Sequence, residues 1–167
     1  MRLKKLPIRR KMPMELAYIE KLFREEVGLD IKEHKDKAEQ ISETVVEIYE
    51  ELLRKGIENA NYNGRDYVSY YDLPITEDLE RYMNRFIQDR GEEVLKAFVD
   101  YLAKLEEELL KAEEALPPLD EELHQKKADI LGGIMLMFAS VAKQINGDRK
   151  LYAESIPVTR EVLRTMI

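Results

Sequence analysis

The sequence predicts an all-α protein built from one helical unit used twice, and three observations carry that expectation. The chain repeats itself: residues 63–83 and 146–166 align without a gap at a constant offset of 83. Six of the 21 positions are identical (Asn63/Asn146, Gly64/Gly147, Pro74/Pro157, Thr76/Thr159, Arg81/Arg164 and Met83/Met166), where ordinary composition gives roughly one. Four more pairs exchange aliphatics, Val68/Leu151, Leu73/Ile156, Ile75/Val158 and Leu79/Val162, so the match looks like a structural unit used twice. Secondly, residues 36–62 carry an apolar stripe at three- and four-residue spacing, which marks an amphipathic helix spanning about 40 Å that needs a partner across it, and residues 120–145 read as a second long helix. Thirdly, the chain has 167 residues and no cysteine. At that length folding hides roughly 70% of the unfolded surface, so a core forms without disulfides.

In chain order, residues 1–13 form a basic arm with Arg2, Lys4, Lys5, Arg9, Arg10 and Lys11 and no acid. Residues 14–90 and 91–167 are the two expected units. A first short helix is expected over 14–27, with Leu16, Ile19, Leu22, Phe23 and Val27 on one face and Gly28 as its stop. Asp36, with Glu39 three residues on, has capping-box spacing for the long helix that follows. Asn63-Gly64 ends that helix, since both residues tolerate left-handed backbone angles. A brief extended piece over 66–70 leads to Pro74 and to Thr76, the expected cap of a helix reaching Arg90. The cycle then repeats, with a helix over 92–115, a break at Pro117-Pro118 and a second long helix capped by Asp120. The centre of that helix, Ile130 to Ala142, is apolar nearly all round and is expected to be the most buried element. Gly132-Gly133 within it costs about 1 kcal/mol per glycine relative to alanine, which points to close approach of a crossing helix. Asn146-Gly147, an extended piece, Pro157 and the cap Thr159 lead into a last short helix.

Charge is unevenly placed. The net value is -7, and removing the arm's six cations leaves 21 basic against 34 acidic residues. The arm attracts polyanions and the body repels them. Charged residues make up 37% of the chain and Trp is absent, a composition like that of heat-adapted proteins. No signal peptide is visible, and the longest apolar run, 130–142, is too short to span a bilayer. A cytoplasmic protein without membrane contact is expected.

The order of elements resembles the histone fold, in which short, long and short helices form a unit and two units clasp with their long helices crossed. The loop Gly64-Arg65-Asp66-Tyr67-Val68, with Asp72 following, carries the resemblance. In archaeal and eukaryotic histones the matching loop holds an arginine and, seven residues later, an aspartate that form an internal clamp. Arg65 and Asp72 have that spacing. In the second copy Asp148 and Ser155 occupy those positions, and Arg149-Lys150 stands where the family grips phosphate. The resemblance, which extends to uncharacterised bacterial proteins with two tandem histone folds in one chain, implies a covalent pseudo-dimer that is monomeric in solution.

That resemblance and the basic arm imply a non-enzymatic, histone-like protein on duplex DNA, touching phosphates without reading bases. Its contacts would be Arg2, Lys4, Lys5, Arg9, Arg10, Lys11, Arg149 and Lys150. The alternative is an acidic histone-fold module that binds another protein and never meets DNA. Tyr62, Tyr67, Tyr70 and Tyr71 either stack on unpaired bases or pad the loop against its neighbour. Glu121 and His124 have the Glu-x-x-His spacing of bundle di-metal sites, but His34 is preceded at that spacing by Ile31, so the second pair is missing. No nucleotide-binding glycine loop or nucleophile elbow occurs. No catalytic residue, metal or cofactor is expected.

Overall fold

A computed structural model describes residues 30–31, 35–89, 116–147, 150–151 and 154–166. Four α-helices lie among them: α1 (Lys35–Tyr62), α2 (Glu77–Asp89), α3 (Glu121–Asn146) and α4 (Ser155–Met166). Two short strands, β1 (Asp30–Ile31) and β2 (Lys150–Leu151), pair in parallel with Asp30 opposite Lys150 and Ile31 opposite Leu151. A parallel bridge between Val68 and Leu119 joins the other end. Its bonds run from the Val68 N–H to the Pro118 carbonyl at 2.9 Å and from the Asp120 N–H to the Val68 carbonyl at 2.8 Å. The start of α1 therefore lies beside the end of α3, and the start of α3 beside the end of α1.

The periodicity of each helix explains its burial. In α1 the stripe Ile41, Val45, Ile48, Tyr49, Leu52, Leu53, Ile57 and Ala60 is buried. The helix begins at Lys35, which puts Asp36 inside its first turn rather than at the cap, a shift within the ordinary fraying of helix ends. Helix α3 is the centre of the core, and every residue from Ile130 to Ala139 is buried. Asp120 caps it, accepting from the Leu123 N–H at 2.9 Å. The apolar window of α3 is long enough to cross a membrane but is 72% buried inside the protein, as in a core helix. Both long helices stop at the repeated Asn-Gly, where Gly64 and Gly147 take φ of +72° and +70°, angles that side chains with a Cβ rarely adopt.

Helix α2 packs across α3 where α3 is thinnest. A Cβ at Gly132 would stand 2.6 Å from the Phe86 ring, and one at Gly133 would stand 2.5 Å from Met83 Cγ and 3.0 Å from the Met83 backbone nitrogen. The glycine pair is thus a saddle for α2, and the Tyr82 hydroxyl donates to Ser140 Oγ at 2.7 Å beside it. Helix α4 is tied to α1 by two ion pairs, Arg160 with Glu47 at 3.0 Å and Arg164 with Glu51 at 3.5 Å.

The expected architecture of two tandem histone-fold units is corrected by this arrangement. The described residues form a single four-helix bundle around one core, not six helices in two three-helix units. The short helices expected over 14–27 and 92–115 lie outside the described residues, as does the arm 1–13. The physical reason is the reach of the repeat. Twenty-one repeated residues specify how a long helix stops and the chain turns back, and such a reversal serves any helical bundle. The expected count of six rested on the apolar spacing over 14–27 and 92–115, which lie outside the described residues, and the grouping into two clasped units rested on the repeat and the resemblance.

The two reversals also differ. After α1, Tyr70–Asp72 forms a 3-10 turn, Leu73 is extended, and α2 starts only after Thr76, whose hydroxyl accepts from the Leu79 N–H at 3.2 Å. After α3, helix α4 starts at Ser155, so Thr159 is inside it and donates back to the Ser155 carbonyl at 2.7 Å. Pro157 is then the third residue of α4, where a missing N–H leaves nothing unpaired. Thr159 is not a cap.

Candidate functional site: the tyrosine-bearing loop

The loop between α1 and α2 is held from within. Arg65 donates through both terminal nitrogens to the two carboxylate oxygens of Asp72, the bidentate geometry in which guanidinium and carboxylate bind most strongly. The same carboxylate accepts from the Ser69 N–H at 2.8 Å, and Asn59 Nδ2 donates to the Asp72 carbonyl at 2.7 Å. Asp72 is buried, while Arg65 is partly exposed. The hydrogen bonds from Arg65 hold the Asp72 carboxyl below its ordinary range against the opposing effect of burial, and Asp72 in turn raises Arg65. Val68, fully buried, anchors the middle of the loop through its bridge to Leu119.

The outward face is aromatic. Tyr62, Tyr67 and Tyr71 are 91%, 43% and 77% exposed, although large apolar rings usually find cover. Two tyrosines of the loop already carry cations: Arg65 Cζ lies 5.6 Å from the Tyr67 ring centroid, and Lys126 Nζ lies 4.0 Å from that of Tyr70. Tyr70 and Tyr71 meet edge to face at 5.5 Å. Burial, reinforced by the Glu80 carboxylate, pushes the Tyr70 hydroxyl above its ordinary value. The rings neither all pad the loop nor all stand open: Tyr70 is half-buried, and Tyr62 and Tyr71 face solvent.

Of the residues expected to act, the structure brings together Arg65 and Asp72. Arg2, Lys4, Lys5, Arg9, Arg10, Lys11 and Arg149 lie outside the described residues, and Lys150 is described only as backbone in β2. Histone-type association with duplex DNA and the acidic histone-fold interaction module both required the clasped histone units, and both expectations fall with them. Glu121 and His124 open α3, and among the described residues no three potential ligands gather for a metal. Ser69 was missed as a partner of Asp72, although Ser-x-x-Asp is legible as a reciprocal cap. The Lys126–Tyr70 contact joins residues far apart in sequence and has no local signal.

A sequence model of the family described as "Domain of unknown function (DUF1931)" matches residues 19–164. An uncharacterized protein of Aquifex aeolicus (strain VF5) is 26% identical over 155 residues, covering 90% of this chain and 83% of the relative. A crystal structure of a Thermus thermophilus protein is similar in fold at a TM-score of 0.73 and 25% identity, covering 93% of this chain and 100% of that one. A crystal structure of an Aquifex aeolicus protein is similar at a TM-score of 0.72 and 24% identity, covering 95% and 100%. These likenesses replace the expected place in the histone-fold superfamily.

Proposed function

Because the chain belongs to the DUF1931 family, whose description assigns no activity, we propose its function from its own surface: it is a cytoplasmic, non-enzymatic helical protein that binds a protein partner through residues 61–72, the last two residues of α1 and the loop that follows. The observation that supports this is the contrast between the two faces of that loop. Its inside is fixed by Arg65, Asp72, Asn59 and Ser69, and its outside displays Tyr62 and Tyr71 at 91% and 77% exposure. Tyrosine is enriched at protein interfaces because one ring offers a large apolar face and a hydroxyl. A loop that is already ordered loses little further entropy when a partner arrives.

Site-specific photo-crosslinking tests the proposal. p-Benzoylphenylalanine at Tyr71 or Tyr62 is expected to give a discrete protein adduct in cells, while the same probe at Glu161, exposed on α4, gives none. Absence of adducts at both tyrosines would remove the proposal.

A further inference from the structure

We propose, resting on the reading of this loop as a protein-binding surface, that the partner segment is basic and sets arginine or lysine side chains against the open rings of Tyr62 and Tyr71. The fold already shows what the tyrosines of this loop accept. Tyr67 carries Arg65, and Tyr70 carries Lys126 at 4.0 Å, so two of the four rings hold cations of this chain. Tyr62 and Tyr71 are the most exposed of the four. A cation over a tyrosine face is drawn by the ring's negative quadrupole, and a guanidinium can also stack on it.

Charge points the same way. From Arg54 to Arg81 the chain carries six acids (Glu58, Asp66, Asp72, Glu77, Asp78 and Glu80) against four cations (Arg54, Lys55, Arg65 and Arg81), and Arg54 and Arg81 are paired with Glu58 and Asp78. Arg65 is spent on Asp72. Asp66 and Glu77 are exposed, and neither makes an ion pair among the described residues. The bridge from Val68 to Leu119 brings the start of α3, with Glu121 and Glu122, to the same end of the bundle. Lys126 answers Glu122 there at 3.5 Å. The surround is therefore net negative, which draws a basic segment and repels a nucleic-acid strand that would otherwise stack on the same rings.

Fluorescence anisotropy on the full chain tests this with three labelled probes: a (Gly-Arg)5 peptide, a (Gly-Glu)5 peptide and an oligo(dT) decamer. The arginine peptide is expected to bind, and the other two are not. The double variant Tyr62→Ser/Tyr71→Ser, made at exposed side chains, should bind the arginine peptide about tenfold more weakly, the loss that two cation–ring contacts amount to. Asp66→Asn/Glu77→Gln should weaken it as well, whereas Glu161→Gln on α4 should not. Equal binding by the wild type and the tyrosine variant would overturn the inference, because it would reduce the attraction to bulk charge. Binding of the oligonucleotide through the tyrosines would overturn it in favour of single-stranded nucleic acid. Crosslinked adducts at Tyr71 together with no binding of the arginine peptide would sink the basic partner and leave the protein-binding reading standing; absence of adducts would sink that reading itself.

Discussion

Asp72 gathers more of the loop's order than any other side chain, accepting from Arg65 twice and from the Ser69 N–H, while its carbonyl accepts from Asn59. Removing Arg65 leaves that buried carboxylate without its main donor. Arg65→Ala should therefore lower the melting temperature more than Arg149→Ala, and equal losses in thermal melts would deny the clamp its role. The pH dependence follows from the direction in which Asp72 is shifted. Its carboxyl ionises at lower pH in the folded chain than the ordinary value of 3.8. The clamp's contribution is thus complete above the unfolded value and is lost as pH falls through the folded one. The gap in melting temperature between wild type and Asp72→Asn should be widest above about pH 5 and close on further acidification. A gap that holds constant into strong acid would contradict this. The seven-residue spacing of Arg65 and Asp72 was legible in the sequence, and so was Ser69 in hindsight. Asn59, one turn back on α1, was not, because an amide at a helix end has many possible partners.

Among the elements, the glycine pair of α3 was readable as a crossing point because two glycines inside a helix need a compensating contact. Which helix crosses there was not readable, since it depends on the path of the whole chain. The saddle can be tested by filling it. Alanine at Gly133 gains about 1 kcal/mol in helix propensity but drives a Cβ into the Met83 backbone, and overpacking of this kind costs about 1–3 kcal/mol. Gly133→Ala should lower stability in urea titrations; a gain equal to the propensity difference would show that α2 does not sit on the saddle. The start of α4 shows the opposite case. Thr159 and Pro157 copy Thr76 and Pro74, yet α4 runs back to Ser155 while α2 does not reach Asp72. The difference lies at one aligned pair. Asp72 holds a turn by binding Arg65, whereas Ser155 bonds Asn146 and leaves the backbone free to wind. Local repetition did not carry over because the side chain that stops the helix is not repeated.

For the molecule as a whole, α3 was identifiable as the central element from its all-round apolar composition, and the structure buries it from Ile130 to Ala139. Leu136→Asp should abolish folding, because an unpaired buried carboxylate costs an amount comparable with a domain's entire stability, about 5–15 kcal/mol. Leu136→Met, near in volume, should cost less than about 1.5 kcal/mol; a folded Leu136→Asp chain by circular dichroism would displace α3 from the centre. Stripes and stops are local properties of a sequence, so the long helices could be read from it. The arrangement around them is not local, and a repeat of chain reversals did not fix how many helices share the core. Binding through residues 61–72 depends on that loop being part of the core and not a loose attachment. Native-state hydrogen exchange decides this at the amides of Val68, Ser69 and Asp120, whose N–H groups lock the loop. They should exchange with the same opening free energy as Leu131 in α3; exchange of these three through a low-energy local opening, with α3 still protected, would contradict it.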